Sequence, residues 1–258
     1  MRTVARPVCS FPESPRRGNS AARCGGVWHS ARRGKVARML AFVGRYRDCC
    51  AALAAREWRA FHETGRFGAA TVSGCDGIVG GDAAEMARTQ VVALLKRFVA
   101  DRQNEFRRAV SRSALDPDVK RLLYFINVRA AWHGRGDLTC PTCASATAPS
   151  RTVPAAGEVI AADVRRLALS IWRAIRKRHA KPDPRRIAPV LDGRIAAVSV
   201  STSRHADLWA TFRFAGGEAI SVPLHVNARR APQAHRDARC QRIEIVPQGR
   251  SFAVRLIG

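Results

Sequence analysis

The sequence predicts an α+β fold: a helical N-terminal part followed by a small antiparallel β-barrel or sandwich. Three observations predict it. Apolar residues recur at steps of three or four between about 36 and 180, the period of a helix buried on one face. After about 190 the period drops to two, the period of a strand. Apolar residues make up 47% of the 258 residues, which suits a folded chain and argues against global disorder.

In chain order, residues 1–34 carry seven arginines, a single acid, Glu13, and Pro7, Pro12 and Pro15, with no apolar period. A basic flexible leader is the first expectation. An Arg- and Ser-rich transit peptide and a mis-assigned start before Met39 are the alternatives. The helical part spans 35–190. Its first helix, 36–62, has the stripe Val36, Leu40, Val43, Cys50, Leu53, Trp58 and Phe61 and ends at Gly65. A glycine-rich link covers 65–81. Asp82 is expected to cap a second helix over 83–111, striped by Ala87, Val91, Leu94, Leu95, Phe98, Phe106 and Val110. Asp116, or Ser113 before it, starts a third helix running to Trp132. A polar loop covers 133–156. A fourth helix, 157–180, presents Ile160, Val164, Leu167, Ala168, Ile171 and Ile175 and is stopped by Pro182 and Pro184. The strand part, 191–258, alternates over 195–200, 208–214, 219–224, 241–246 and 251–257. Gly216-Gly217 and Pro247-Gln248-Gly249 mark hairpin turns.

Charge narrows the function. Lys and Arg number 45 and Asp and Glu 20, a net charge of +25. Self-repulsion on that scale opposes compactness and points to a polyanionic partner. Lysine stands only at 35, 96, 120, 177 and 181, so the basicity is nearly all arginine, whose guanidinium grips phosphate through two parallel hydrogen bonds. A GC-rich genome explains the choice of Arg over Lys equally well, but not the excess over acids. No apolar run approaches the ~20 residues that span a bilayer, so a membrane protein is excluded. The eight cysteines are scattered and no hydrophobic signal segment precedes them, which fits free thiols in a reducing cytoplasm, with association with the nucleoid left open.

Catalytic motifs are incomplete. Cys140-Pro-Thr-Cys143 could hold half of a tetrahedral zinc site, with His133, Cys75 and Cys240 as further ligands, but no second pair exists and an incidental pair is the better expectation. Gly77-Ile-Val-Gly-Gly81 lacks the Lys-Ser/Thr of a phosphate-binding loop. The strand part offers only Asp192, Asp207, Glu218, Asp237 and Glu244 as carboxylates, too dispersed for two-metal chemistry. No enzyme activity, cofactor or metal is therefore expected.

Cationic helix faces remain. Arg88, Lys96, Arg97, Arg102, Arg107, Arg108 and Arg112 lie on the second helix, with the amides Gln103 and Asn104 among them. Arg173, Arg176, Lys177, Arg178, Lys181, Arg185 and Arg186 lie at and beyond the end of the fourth. Such surfaces neutralise phosphates and release counterions, although each face alone could be a solvated one. Trp172, Trp209, Phe212 and Phe214 are candidates to stack bases, with core packing the better expectation for Trp172.

Several segments together resemble a known family. They are Arg102-Gln-Asn-Glu-Phe106, Ser113-Ala-Leu-Asp116, Leu123-Tyr-Phe-Ile-Asn127, Ala130-Ala-Trp132, Arg178-His-Ala-Lys-Pro182, Leu208-Trp-Ala-Thr-Phe212 and Gly217-Glu-Ala-Ile-Ser-Val-Pro-Leu224. In this order they resemble the N-terminal half of TnpB-like transposon proteins, RNA-guided nucleases related to type V CRISPR effectors. The likeness runs from about 36 to 257. It implies a helical recognition part and a wedge-like barrel that hold a guide RNA and its hybrid with DNA. It also implies that the chain stops before the RuvC domain, whose catalytic acids would lie beyond Gly258. The expected partners are thus a guide-like RNA and DNA, bound without cleavage. A generic basic DNA-binding or ribonucleoprotein structural protein, unrelated to transposons, is the alternative.

Overall fold

The computed structural model describes residues 28–132, 162–178, 180–202, 204–226 and 242–257. Helix α1 (Arg33–Thr64) buries Met39, Phe42, Val43, Tyr46, Cys49, Cys50, Leu53, Ala54 and Glu57 along one face. It ends where Gly65 takes a left-handed conformation (φ 71°) and its N–H bonds back to the Phe61 carbonyl at 2.8 Å. The link that follows contains a single helical turn, α2 (Asp76–Val79), not visible in the periodicity. Helix α3 (Gly81–Arg112) starts directly after it. Asp82 is not its cap. The residue before the helix is Gly80, at φ 90°, and Asp82 lies in the first turn, 3.3 Å from Arg194. Gly80 is needed on two grounds: its φ suits glycine, and a Cβ there would lie 3.3 Å from the Ala215 side chain in a strand turn.

Helix α4 (Pro117–Val128) is capped as expected by Asp116, whose Oδ1 accepts from the Asp118 N–H at 2.8 Å. It stops before Trp132. The chain turns through Ala130 at φ 52°, and Trp132 folds back against the helices. Helix α5 (Ala162–Arg178) buries Val164, Ala168, Trp172 and Ile175. The loop expected over 133–156 lies outside the described residues.

The strands are β1 (Trp28–His29), β2 (Val190–Asp192), β3 (Ala196–Val200), β4 (Leu208–Arg213), β5 (Ala219–His225), β6 (Arg242–Gln248) and β7 (Ser251–Ile257). They form two antiparallel sheets, ordered β1-β5-β4-β3 and β2-β6-β7. The two hairpins fall where the glycines predicted, with Phe212 opposite Ile220 and Gln248 opposite Ser251. Two short strands have no counterpart in the periodicity. β1 lies inside the segment expected to be a flexible leader, where Trp28 pairs with His225 and His29 with Leu224. β2 pairs with β6. The sheets meet at a β1–β7 seam and at the tight turn between β2 and β3, where the Ile195 N–H bonds to the Asp192 carbonyl at 3.0 Å. Among the described residues no strand ladder crosses either seam, and the sheets do not close into a barrel.

Packing divides the molecule within α3 and not at the helix-to-strand switch. One core joins the buried residues of α1, α2 and α3 as far as Leu95 to the inner faces of both sheets: Leu208, Ala210, Phe212, Ile220, Val222, Leu224, Ile243, Ile245, Val254 and Leu256. The other joins Val99, Phe106 and Val110 of α3 to Leu123, Ile126, Trp132, Val164, Ala168, Trp172 and Ile175. Burying one side chain of this size stabilises by ~1.5–3 kcal/mol, so each core is a substantial source of stability.

Candidate nucleic-acid interface

The α3–α5 seam sets out the cations. At its centre the Arg102 guanidinium lies 3.9 Å from the Phe98 ring and 5.0 Å from that of Trp172. Trp172 in turn stacks on Trp132, centroids 3.9 Å apart and planes within 2°. Further along the chain Lys181 Nζ sits 4.8 Å over Trp58, which packs edge-on against Phe98.

The sequence candidates separate by environment. Arg102 is buried, at 6% exposure, and is not a surface phosphate contact. Burial, and next the neighbouring charge of Arg176, hold its pKa below the ordinary guanidinium value. The apolar stripe through Phe98 and Phe106 carries Arg102 inward with it. Gln103 is spent on structure. Its Nε2 donates to the carbonyls of Asn127 at 2.8 Å and Val128 at 3.3 Å, and Asn127 Nδ2 donates back to the Gln103 carbonyl at 2.9 Å. Asn104 is half-buried. Arg88 pairs with Glu85 at 2.9 Å and donates to the Gly68 carbonyl. Arg185 pairs with Asp48 and Arg186 with Asp183, each at 3.7 Å. Lys181 is engaged with Trp58, and burial lowers its pKa.

Lys96, Arg97, Arg108 and Arg112 on α3 and Arg173, Arg176, Lys177 and Arg178 on α5 are exposed. None of them has an ion pair among the described residues. Arg107 is exposed beside them. Arg176, Lys177 and Arg178 form the last turn of α5, where one or two cations also suit the helix dipole by ~0.3–1 kcal/mol. A cationic surface flanking one seam can neutralise successive phosphates of a nucleic-acid backbone.

The aromatic candidates separate too. Trp172 and Phe212 are buried, and Phe214 packs on Phe42 with centroids 4.6 Å apart. Trp209 is half-buried on the face of β4 opposite to the core, its Nε1 donating to Ser201 Oγ at 3.2 Å.

The buried place of Glu57 carries little sequence signal, whereas the helical pattern puts Cys49 and Cys50 inside. Glu57 is fully buried within the stripe of α1, its Oε2 accepting from the Gly68 N–H at 2.7 Å and its Oε1 without a hydrogen-bond partner. Only its spacing of four from Leu53 could have placed it inward. Cys49, Cys50 and Cys75 are buried together; burial pushes the Cys49 and Cys50 thiols up, Cys50 to about 12, and holds those two protonated. Among the described residues no group of three or more His, Cys, Asp or Glu could hold a metal ion. Cys140, Cys143, His133 and Cys240 lie outside the described residues. No helix among the described residues is long and apolar enough to cross a membrane. Compared with protein families, curated proteins and solved structures, the chain matches none.

Proposed function

We propose that this chain is a TnpB-like, transposon-associated protein that binds RNA, or an RNA–DNA hybrid, along the cationic flank of α3 and α5, without cutting it. The observation that carries the proposal is the set of exposed cations at Lys96, Arg97, Arg108, Arg112, Arg173, Arg176, Lys177 and Arg178, which have no ion pairs among the described residues. Leaving so many like charges along two packed helices is a standing cost that a polyanion relieves. The order of segments shared with TnpB-like proteins supports the RNA partner. Binding in place of cleavage is supported by how the described carboxylates of the strand half are engaged, Asp237 lying outside the described residues. Asp192 bonds Arg194, Asp207 accepts from the Val226 N–H, Glu218 pairs with Arg38 and Glu244 with Arg255.

The test is a binding titration with RNA on the full chain and on a variant with Arg173, Arg176, Lys177 and Arg178 changed to Gln. Circular dichroism on the same samples checks the fold. The expected result is at least a tenfold loss of affinity, with a log K against log salt slope shallower by ~0.7 for each single-strand phosphate that the variant no longer neutralises. Equal affinity in a folded variant would show that these residues are only a solvated helix end. RNA recovered with the purified protein separates the two classes of partner: one discrete species supports a guide-type RNA, and a mixed population supports a generic nucleic-acid binder.

A further inference from the structure

One titratable ring ties the two sheets together at the β1–β7 seam. His29 of β1 stacks on Phe252 of β7, with centroids 4.1 Å apart and planes at 22°. Its Nδ1 accepts from the Ala31 N–H at 3.2 Å. The proton of the neutral ring is therefore on Nε2, which reaches Ser251 Oγ at 3.2 Å. These two bonds together select the neutral Nε2–H form. β1 has only two residues and pairs on one side, with β5, so its hold on the neighbouring sheet depends heavily on this ring.

The surroundings oppose protonation. The segments packed around His29 contain no carboxylate. Residues 30–36 bring Arg32, Arg33 and Lys35, β5 brings His225, and residues 249–257 bring Arg250 and Arg255. Arg255 is paired with Glu244 of β6, and Lys35 donates to the Ser221 carbonyl. His225 Nε2 lies 2.8 Å from Ser30 Oγ, one residue beyond His29. Burial lowers the pKa of His29, and a backbone hydrogen bond to Phe252 offsets this only in part. An imidazolium would lose the Nδ1 acceptor, place an N–H against the Ala31 N–H and put a charge in a partly buried site.

We propose that His29 is an acid-sensitive latch: as the neutral ring it clamps β1 to β7, and on protonation it lets the seam between the sheets open. Opening frees residues 28–32, ahead of α1, from β7. The ring's pKa is lower in the closed seam than in the open one, where it returns to about 6.5. The latch is therefore at full strength above that pH and weakens as the pH falls through and below it. The opening equilibrium rises by up to about tenfold per pH unit until the closed-seam pKa is reached.

Amide hydrogen exchange on the full chain between about pH 8 and 5, corrected for intrinsic exchange, tests the latch. The Ala31 and β1 amides are expected to lose up to about tenfold in protection per pH unit below about 6.5, while amides between β4 and β5 stay protected. In His29→Gln, which accepts and donates without titrating, that dependence disappears; in His225→Gln it remains. Seam protection that is flat with pH in the unaltered chain would overturn the proposal. So would a dependence that survives in His29→Gln and is lost in His225→Gln. Direct titration of the His29 ring by nuclear magnetic resonance gives a check that needs no variant: a pKa at or above the ordinary histidine value overturns the latch.

Discussion

The two cores are built from different materials. The helix–sheet core is mostly aliphatic and small, with Ala54, Ala83, Ala84, Ala87, Ala196 and Ala210 beside the thiols of Cys49, Cys50 and Cys75, and its rings, Phe42, Tyr46, Phe212 and Phe252, are spread through a larger set of residues. The helical-end core is aromatic and partly polar: Phe106, Trp132 and Trp172 surround Arg102, and Asn127 bonds the Trp132 indole at 3.0 Å. Their surfaces differ in the same sense. Candidate cations close to the sheet half, Arg88, Arg185 and Arg186, are paired with acids, whereas Lys96, Arg97, Arg108, Arg112, Arg173, Arg176, Lys177 and Arg178 have no ion pair among the described residues, Arg121–Asp118 being an ion pair of the helical end outside that set. The contrast holds for these candidate cations and not for all the charge of the sheet half, where Arg45, Arg59, Arg213 and Arg242 are exposed without an ion pair among the described residues. α3 runs through both, so the helical end is held by a helix whose first half is anchored in the sheets.

The largest expected effect tests whether the cores are separable. Trp172→Ala removes the ring that stacks on Trp132 and lies under Arg102, a loss of ~3–5 kcal/mol. If the cores are distinct cooperative units, α4 and α5 exchange their amides quickly while the helix–sheet core stays closed. The buried thiols read out the second half of that statement, because a thiol pushed up to about 12 alkylates very slowly while it is covered. Rapid alkylation of Cys49, Cys50 and Cys75 in step with α5 exchange would mean one core, and the comparison would fail.

Paired and unpaired cations give the next effect. Changing Arg173, Arg176, Lys177 and Arg178 to Gln should weaken RNA binding at least tenfold, ~1.4 kcal/mol. Changing Arg88, Arg185 and Arg186 to Gln should weaken it by roughly twofold or less, since exposed pairs contribute little and their charge is already offset. Similar losses from both sets, measured in the same salt, would erase the distinction between the halves. Arg102→Met sharpens it from inside. Stability should fall by about 1–2 kcal/mol because the guanidinium no longer lies over the Phe98 and Trp172 rings, with the salt dependence of binding unchanged. A shallower salt slope would show that Arg102 reaches phosphate after all.

The elements were legible where the period was long. α1, α3 and α5 and the five longer strands follow from apolar spacing, and the glycines marked both hairpins. β1 and β2 were not legible, because two or three residues carry no period and their pairing partners, His225 and Glu244 among them, lie far along the chain. The choice between barrel and sandwich was left open for a related reason: alternation shows that a strand has a buried face but not which edges meet, and the two sheets stay unclosed. The candidate site was legible as charge and not as geometry. Arg102 and Arg108 look alike in sequence, yet position relative to Phe98 and Phe106 buries the first and exposes the second. Gln103 stands out in sequence as an amide near arginines and serves as a clasp on the end of α4. The division within α3 has no sequence mark, since Leu95 and Val99 continue a single stripe from one core into the other.

The smallest expected effect concerns how the helical end is assembled. α1 and α3 begin without a side-chain cap and are held by packing along 32 residues each, whereas α4 has 12 and begins on the Asp116 carboxylate. A short helix depends more on its ends. Its C-terminal end is clasped by Gln103, so loosening should be confined to the first turn after Pro117. Asp116→Ala should cost ~1 kcal/mol and lower Tm by ~2–4 °C. The Lys120 amide, which bonds the Asp116 carbonyl at 2.9 Å, should exchange faster while the Asn127 region does not. Asp116→Asn keeps an oxygen acceptor for the Asp118 N–H and should restore most of the loss. If Asn is as costly as Ala, the aspartate acts through its charge on a strongly basic helical end. The first turn of α4 would then belong to the electrostatics of that surface and not to its framework.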